Sequence, residues 1–149
     1  MNDAFYAIVH HLLAFSLLAI LAAEAAIAAP GIAGARLRRL QRLDRLYGAL
    51  AGLLLIVGVL RLAYGGKGPD FYLSNPIFWA KMAAFAGVAS LSIPPTLRIA
   101  GWTRRAREDA SFAVPEGEAA SARRWFAAEL ALFAAIPVFA ALMARGVGS

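Results

Sequence analysis

The stretch that decides the fold is FYAIVHHLLAFSLLAILAAEAAIAA, residues 5–29, in which apolar side chains are almost uninterrupted. Three further apolar stretches follow, at Tyr47–Tyr64, Pro76–Leu97 and Trp125–Ala144. Each approaches or exceeds the roughly 20 residues that cross a hydrocarbon core of about 30 Å. The sequence therefore predicts an all-α integral membrane protein, with residues 1–149 forming one domain, a bundle of four transmembrane helices.

The composition agrees with this fold class, because 61% of the residues are hydrophobic and only 16% are charged. The mean hydropathy is +0.66, and the polar residues are grouped in blocks between the apolar stretches. The chain contains no cysteine, which excludes disulfides, thiolate metal sites and iron–sulfur clusters held by this chain. We find no P-loop, no nucleophile with a paired base and no carboxylate-rich metal motif, so hydrolase and ATPase activities are disfavoured.

The net charge of +6 comes largely from arginines in two blocks, ARLRRLQRLDR at 35–45 and RIAGWTRRAR at 98–107. In contrast, the segment GGKGPDFYLSN at 65–75 has one lysine and one aspartate, and MNDAFY at the start has no lysine or arginine. Positive charge marks cytoplasmic connections. We therefore expect both blocks in the cytoplasm, both termini outside, and a location in the bacterial inner (cytoplasmic) membrane. The lipid bilayer is the expected partner, and nucleic acid is not.

Two cytoplasmic features leave alternatives open. RLRRLQRLDRLYG, residues 36–48, predicts an amphipathic helix that either lies at the headgroups or runs straight into the second span. Pro94 and Pro95 predict a kink or an end of the third helix near the cytoplasmic face. Ser90, Ser92 or water would then satisfy the carbonyl groups that lose their amide partners.

Ionisable side chains inside membrane spans are costly, and each is therefore a candidate functional residue. Sorting them by depth places a group in the outer half of the bundle, with no carboxylate in the spans to balance it. Its candidate residues, including a neighbouring methionine, are His10, His11, Arg61, Lys81, Met82 and Arg145. In the inner half, Glu24 and Glu129 lie at the level of Asp44, Arg45 and Arg98, where we expect ion pairs near the cytoplasmic interface.

Helical geometry distinguishes the two adjacent histidines. Glu24 follows His10 by 14 positions, which is about 1400°, or roughly 40° short of four full turns. Both residues therefore share one face, and a buried glutamate should face the protein interior. We expect His10 to point inward, and His11 to point to a neighbouring helix or to lipid.

A porphyrin fits the outer group, because imidazole binds iron and cations hold the two propionates. In this hypothesis the cofactor is haem b, His10 is the metal ligand, and Arg61, Lys81 and Arg145 hold the propionates. A quinone, an anionic lipid or a small transported anion is an alternative ligand. Without any ligand, the cations would extend to water and the imidazoles would be neutral and hydrogen-bonded within the bundle.

Three stretches, YLSNPIFWAKMAAFAGVASLSIPPTLR at 72–98, HHLLAF at 10–15 and AAIPVFAALMARG at 134–146, resemble an uncharacterised bacterial family of predicted membrane proteins, domain of unknown function 2214. This resemblance covers nearly the whole chain and implies a membrane fold without a known activity.

A second resemblance is to the HemJ-type protoporphyrinogen oxidases, small membrane proteins that bind haem b. It rests on a histidine early in the first helix and on FWAKM at 78–82. It implies that His10 or His11 ligates haem and that Lys81 is the partner cation. FWAKM lacks the histidine that this family commonly has before the lysine. The iron would then be five-coordinate, or would take Met82, Met143 or a residue of another subunit in a homo-oligomer.

The leading hypothesis is thus a haem- or porphyrin-binding membrane protein that is redox-active or related to protoporphyrinogen oxidation. A small oligomeric transporter or channel-like protein for an anionic solute is the second hypothesis, and a ligand-free structural subunit of a membrane complex is the third. Whether the chain is an enzyme is left open.

The distribution of arginine predicts the topology directly. A reporter tag fused to either terminus should be accessible from outside the membrane in intact cells, because the arginine-rich connections are retained inside. Protease accessibility in right-side-out vesicles measures this. A tag at the N-terminus that is protected until the membrane is permeabilised would contradict the depth sorting of the charged residues.

Overall fold

The computed structural model describes residues 2–64 and 68–147. Lys67, in the segment 65–75 considered above, lies outside the described residues. The helices are α1 (Asn2–Ile27), α2 (Gly34–Tyr64), α3 (Gly68–Leu73), α4 (Pro76–Glu108) and α5 (Glu116–Ala144). All but the short α3 are long and apolar enough to cross a membrane. The predicted fold class, an all-α membrane protein with four spanning helices, is confirmed.

The four long helices form an antiparallel ring. α1 packs along α2, α4 packs along α5, and the contacts of α2 with α4 and of α1 with α5 close the ring. We call the end with α3, the start of α1 and the end of α5 the terminal end. The other end, formed by connections 28–33 and 109–115, is the basic end, because the arginine blocks lie there.

Local capping fixes the start of α4 at the terminal end. The Asn75 side chain accepts a hydrogen bond from the Ile77 amide at 2.8 Å, and Pro76 occupies the first turn, where a missing amide proton costs nothing. The Asn75 amide group also donates to the Val147 carbonyl at 3.2 Å. This asparagine therefore begins one helix and attaches the C-terminal segment to it.

The helices extend well beyond the apolar stretches at the basic end. α4 has 33 residues, which is about 50 Å at 1.5 Å per residue and exceeds the hydrocarbon thickness of about 30 Å. The leucine-patterned segment at 36–48 runs straight into α2, which is one of the two predicted alternatives. The extensions bury a tight apolar core, whose members include Leu37, Leu40, Ile99, Trp102, Ala119 and Ala122.

Backbone hydrogen bonds join the two connections at the basic end. The Gly31 amide donates to the Val114 carbonyl at 2.9 Å, and the Val114 amide donates to the Ile32 carbonyl at 3.0 Å. Gly31 has φ +74°, a conformation that residues with side chains rarely adopt. The side chains of Ile32 and Val114 are buried, so this exchange closes the end of the helix core.

The third span continues through its two prolines to Glu108, so the alternative in which the helix ends there is wrong. The serines expected to satisfy the freed carbonyls bond elsewhere. The Ser90 hydroxyl donates to the Ala86 carbonyl and the Ser92 hydroxyl to the Ala89 carbonyl, each at 2.8 Å.

Glycine marks one close helix contact. A Cβ atom at Gly87 of α4 would lie 2.7 Å from the Leu132 Cδ2 atom of α5, so a larger residue here would require the end of the Leu132 side chain to shift. The small-xxx-small spacing of Gly48 and Gly52 predicts close packing within the bundle, but both residues are exposed and face open space. That packing prediction is wrong.

Two aliphatic residues of α4 test the core at the basic end. Ile99 is fully buried, whereas Leu97, two positions earlier, is 66% exposed. We expect Ile99→Ala to lower the free energy of unfolding by about 2–5 kcal/mol, since it leaves a cavity. Leu97→Ala should change it by less than about 0.5 kcal/mol. Unfolding of the detergent-solubilised protein by dodecyl sulfate measures both, and equal losses would contradict the placement of this core.

Candidate functional site

His10 lies in the half of the bundle toward the terminal end, on the side of α1 that faces α2. A Cβ atom at Gly58 of α2 would be 3.7 Å from the His10 Cε1 atom, an ordinary van der Waals contact, so the imidazole packs against α2 at this position. The Nδ1 atom of His10 is buried and has no hydrogen-bond partner among the described residues. A buried ring nitrogen without a protein partner is energetically costly, and a water molecule or a ligand would satisfy it.

His11 is oriented differently. Its side chain is exposed, and its Nδ1 atom donates to the Ala7 carbonyl one turn earlier at 2.6 Å. The two imidazole rings are 6.0 Å apart at an interplanar angle of 84°. The pair therefore does not form one two-histidine site, and the orientation agrees with the helical spacing between His10 and Glu24.

Two cations from neighbouring helices lie close enough to His10 to interact with it electrostatically, Arg61 of α2 and Lys81 of α4. The Arg61 Nε atom is buried without a partner, and the Lys81 Nζ atom lies 5.5 Å from the centre of the Phe78 ring. In the described part of the chain, neither cation forms an ion pair with a carboxylate. We call His10, Arg61 and Lys81 the cationic cluster.

The other predicted residues of the outer group lie around this cluster. Met82 follows Lys81 on α4 and is half-buried, and Met143 of α5 is buried. Arg145 ends α5 and is exposed, and it is not among the electrostatic neighbours of His10. The structure thus brings three of the predicted residues together and leaves His11 and Arg145 at the surface.

The half of the bundle toward the basic end contains a second polar group, whose glutamates were expected to form ion pairs. Glu24 of α1 and Glu129 of α5 are fully buried, and neither forms an ion pair with any described residue. The Tyr47 hydroxyl of α2 donates to the Glu129 Oε1 atom at 2.7 Å. The Glu129 Oε2 atom and the Glu24 Oε1 atom are buried without partners. The ion-pair prediction is therefore wrong for both glutamates, and we call Glu24, Tyr47 and Glu129 the buried acid group.

The arginines expected to pair with these glutamates lie elsewhere. Arg45 is exposed, and Arg98 interacts with Glu118 near the basic end. The ion pair that the structure does contain joins Arg105 to Glu118, and the Trp102 indole also donates to this carboxylate. These residues lie beyond the apolar stretches, where water and headgroups screen their charges.

Sequence reasoning missed Tyr47, although a signal was present. Leu40, Tyr47 and Leu54 are spaced seven apart on α2, and all three are buried. A seven-residue spacing keeps side chains on one helix face. The phenol therefore belongs to the inward stripe, and only its hydroxyl distinguishes it from the leucines.

A cavity of about 290 Å³ lies beside the buried acid group, between α2 and α4. Its polar lining includes Asp44, Tyr47, Ser92 and Thr96, and the Thr96 hydroxyl donates to Asp44 at 2.5 Å. Thr96 is exposed, and Asp44 is half-buried. The cavity therefore connects the phenol of the buried acid group with the surface near the arginine blocks.

The model of the family described as predicted membrane protein (DUF2214) matches residues 2–148. The chain belongs to this family. No curated protein and no solved structure matches it. The likeness to the protoporphyrinogen oxidases therefore depends on the positions of one histidine and the FWAKM motif alone.

The hydrogen bond of Tyr47 provides a test of the buried acid group. Tyr47→Phe removes the donor from a buried carboxyl oxygen, so we expect the free energy of unfolding to fall by about 1–3 kcal/mol. Tyr64→Phe is the matched control, because Tyr64 ends α2 and is 69% exposed. Unfolding by dodecyl sulfate measures both variants, and an equal effect would show that the phenol of Tyr47 is not a buried donor.

Proposed function

We propose that this membrane protein binds haem b or a related porphyrin in the outer half of the bundle, with His10 as the iron ligand. The observation that supports this most is the environment of His10. Its imidazole makes no hydrogen bond to any described residue, and the neighbouring charges are cations. An anionic ligand that contains a metal would satisfy the free ring nitrogen and offset the positive charge together.

The charges of the cationic cluster are complementary to those of a porphyrin. The two propionates carry negative charge, and charge-assisted hydrogen bonds from Lys81 and Arg61 match them. Gly58 adds no side chain to the α2 face beside His10. Three positive or titratable groups inside the membrane spans, without a carboxylate beside them, cost free energy. A dianionic ligand would remove most of that cost.

Each residue of the cluster has a separate task in this proposal. His10 binds the iron, and Lys81 and Arg61 orient the carboxylates of the ligand. Met82 and Met143 are the candidates in this chain for a further iron ligand, and otherwise it would come from a second copy in a homo-oligomer. Haem, when bound, would supply one-electron redox chemistry.

A second candidate function is transport of an anionic solute by an oligomer. The same cluster favours it, because Arg61 and Lys81 have no carboxylate partner among the described residues and would attract any small anion. For either function we propose the bacterial inner membrane as the location, with the cationic cluster in its outer leaflet, since the arginine blocks favour the cytoplasm.

The visible spectrum tests the haem proposal. Protein purified in mild detergent and supplied with haem should show a Soret band that shifts on reduction. His10→Ala should abolish the band, whereas the neighbouring His11→Ala should retain it. Arg61→Gln should weaken haem binding about 10- to 100-fold, which corresponds to a charged hydrogen bond of about 1.5–3 kcal/mol. Arg145→Gln, an exposed arginine near the same end, is the control and should bind haem normally.

Two results would decide against this proposal. A protein that stays colourless after haem is supplied would refute it. A Soret band that survives His10→Ala but disappears with His11→Ala would also refute it. Anion flux into liposomes that is lost in Lys81→Ala, from a protein that binds no haem, would instead support the transport function.

A further inference from the structure

The buried acid group is a second site in the bundle, distinct from the cationic cluster. Glu24 and Glu129 come from α1 and α5 and are 1% and 0% exposed. Each has one carboxyl oxygen that is buried and unpartnered. They interact electrostatically with one another and with Asp44. Each of the two buried carboxyl groups therefore has one oxygen that accepts no hydrogen bond from a described residue.

Among the described residues, no positive side chain forms an ion pair with either glutamate, and Arg45, which lines the neighbouring cavity, interacts with Asp44. The titratable groups that face the pair are Asp44 and Tyr47 of α2 and the two glutamates themselves, and α4 contributes no charged group that interacts with either glutamate. The described residues also contain no group of three side chains that could hold a metal ion. An unpaired carboxylate in apolar surroundings is very costly, and adjacent like charges increase that cost. A proton is the ligand that removes this charge and also fills the unpartnered oxygens.

The neighbouring cavity supplies an access path. Tyr47 belongs to both features, since its hydroxyl bonds to Glu129 and its side chain lines the cavity. Asp44 and Thr96 lie on the same lining and reach the surface near the arginine blocks. A proton from that surface would reach Glu129 through groups that can each accept and donate.

We propose that Glu24, Tyr47 and Glu129 form a proton-binding site in the inner half of the membrane, loaded from the arginine-rich side through the cavity lined by Asp44 and Thr96. The bound proton lies on the carboxyl groups, and the phenol of Tyr47 holds Glu129 in place. This site operates whether or not the cationic cluster binds haem. It gives the protein a means of taking up protons from one side of the membrane.

Infrared spectroscopy of the full chain in liposomes tests the bound proton. At neutral pH the wild-type protein should show the carbonyl stretch of protonated carboxylic acids, above the amide I band, with a downward shift in D₂O. Glu24→Gln and Glu129→Gln should each lose part of this band, and the double variant should lose it. Glu116→Gln, an exposed glutamate in the first turn of α5, is the control and should leave it unchanged.

The wild-type spectrum alone can overturn the proposal, so the test does not depend on whether each variant folds. Absence of the acid band at neutral pH would do so, and a band that persists in a folded double variant would do so as well. Helical circular dichroism and gel filtration establish that each variant is folded.

The access path has its own matched pair of variants on α2. Ala51 lines the cavity, and Ala49 is exposed on another face of the same helix. Ala51→Leu should slow the D₂O shift of the acid band, whereas Ala49→Leu should leave its rate as in the wild type. Equal exchange rates in both variants would place the path elsewhere and refute loading through this cavity.

Discussion

Hydrocarbon offers no hydrogen-bond partner to a peptide group, and the rest of this structure depends on that constraint. Each span must satisfy its own amides and carbonyls, which only a continuous helix does for an isolated segment. This explains why α4 remains helical through Pro94 and Pro95 rather than ending within the spanning region. It also explains why the serine hydroxyls near the prolines bond to carbonyls of the preceding turn. The irregular backbone is confined to the connections.

The same medium makes every buried charge conspicuous, and the chain separates its charges by sign. His10, Arg61 and Lys81 lie in the half toward the terminal end. Glu24 and Glu129 lie in the half toward the basic end. Opposite charges placed together would have neutralised one another as ion pairs. Their separation leaves both groups without ion pairs among the described residues, and the two proposals above assign an anion to one group and a proton to the other.

The sequence was sufficient for the fold and for the depth of the charged residues, because both depend on position along a helix. The apolar stretches predicted four spanning helices, and counting residues from the outer ends placed His10, Arg61 and Lys81 at neighbouring levels. The direction in which a side chain points around the helix axis could be predicted only where a second residue expected to be buried lies on the same helix, as Glu24 does for His10. Arg145 follows the buried Glu129 by 16 positions, about 1600° or 160° past four full turns, so the same count on α5 places it on the opposite face and accounts for its exposure.

Contacts between helices were harder to foresee. The pairing of Tyr47 with Glu129 joins residues 82 positions apart, and nothing in either segment indicates which helix faces which. Arginine-rich segments also have low hydropathy, so the helical extensions at the basic end resembled loops. The leucine spacing at 36–48 indicated a helix at the start of α2. Hydropathy alone does not separate a polar helix from a polar connection.

The two polar groups share helices, and this bears on how strongly they are coupled. α1 contributes His10 and Glu24, which are 14 residues or about 21 Å apart along the axis. At an effective dielectric constant of about 20, unit charges at that separation interact by only about 1 kcal/mol. A ligand at His10 would thus alter proton binding at Glu24 by several-fold at most through direct electrostatics. Stronger coupling would require the helices themselves to move.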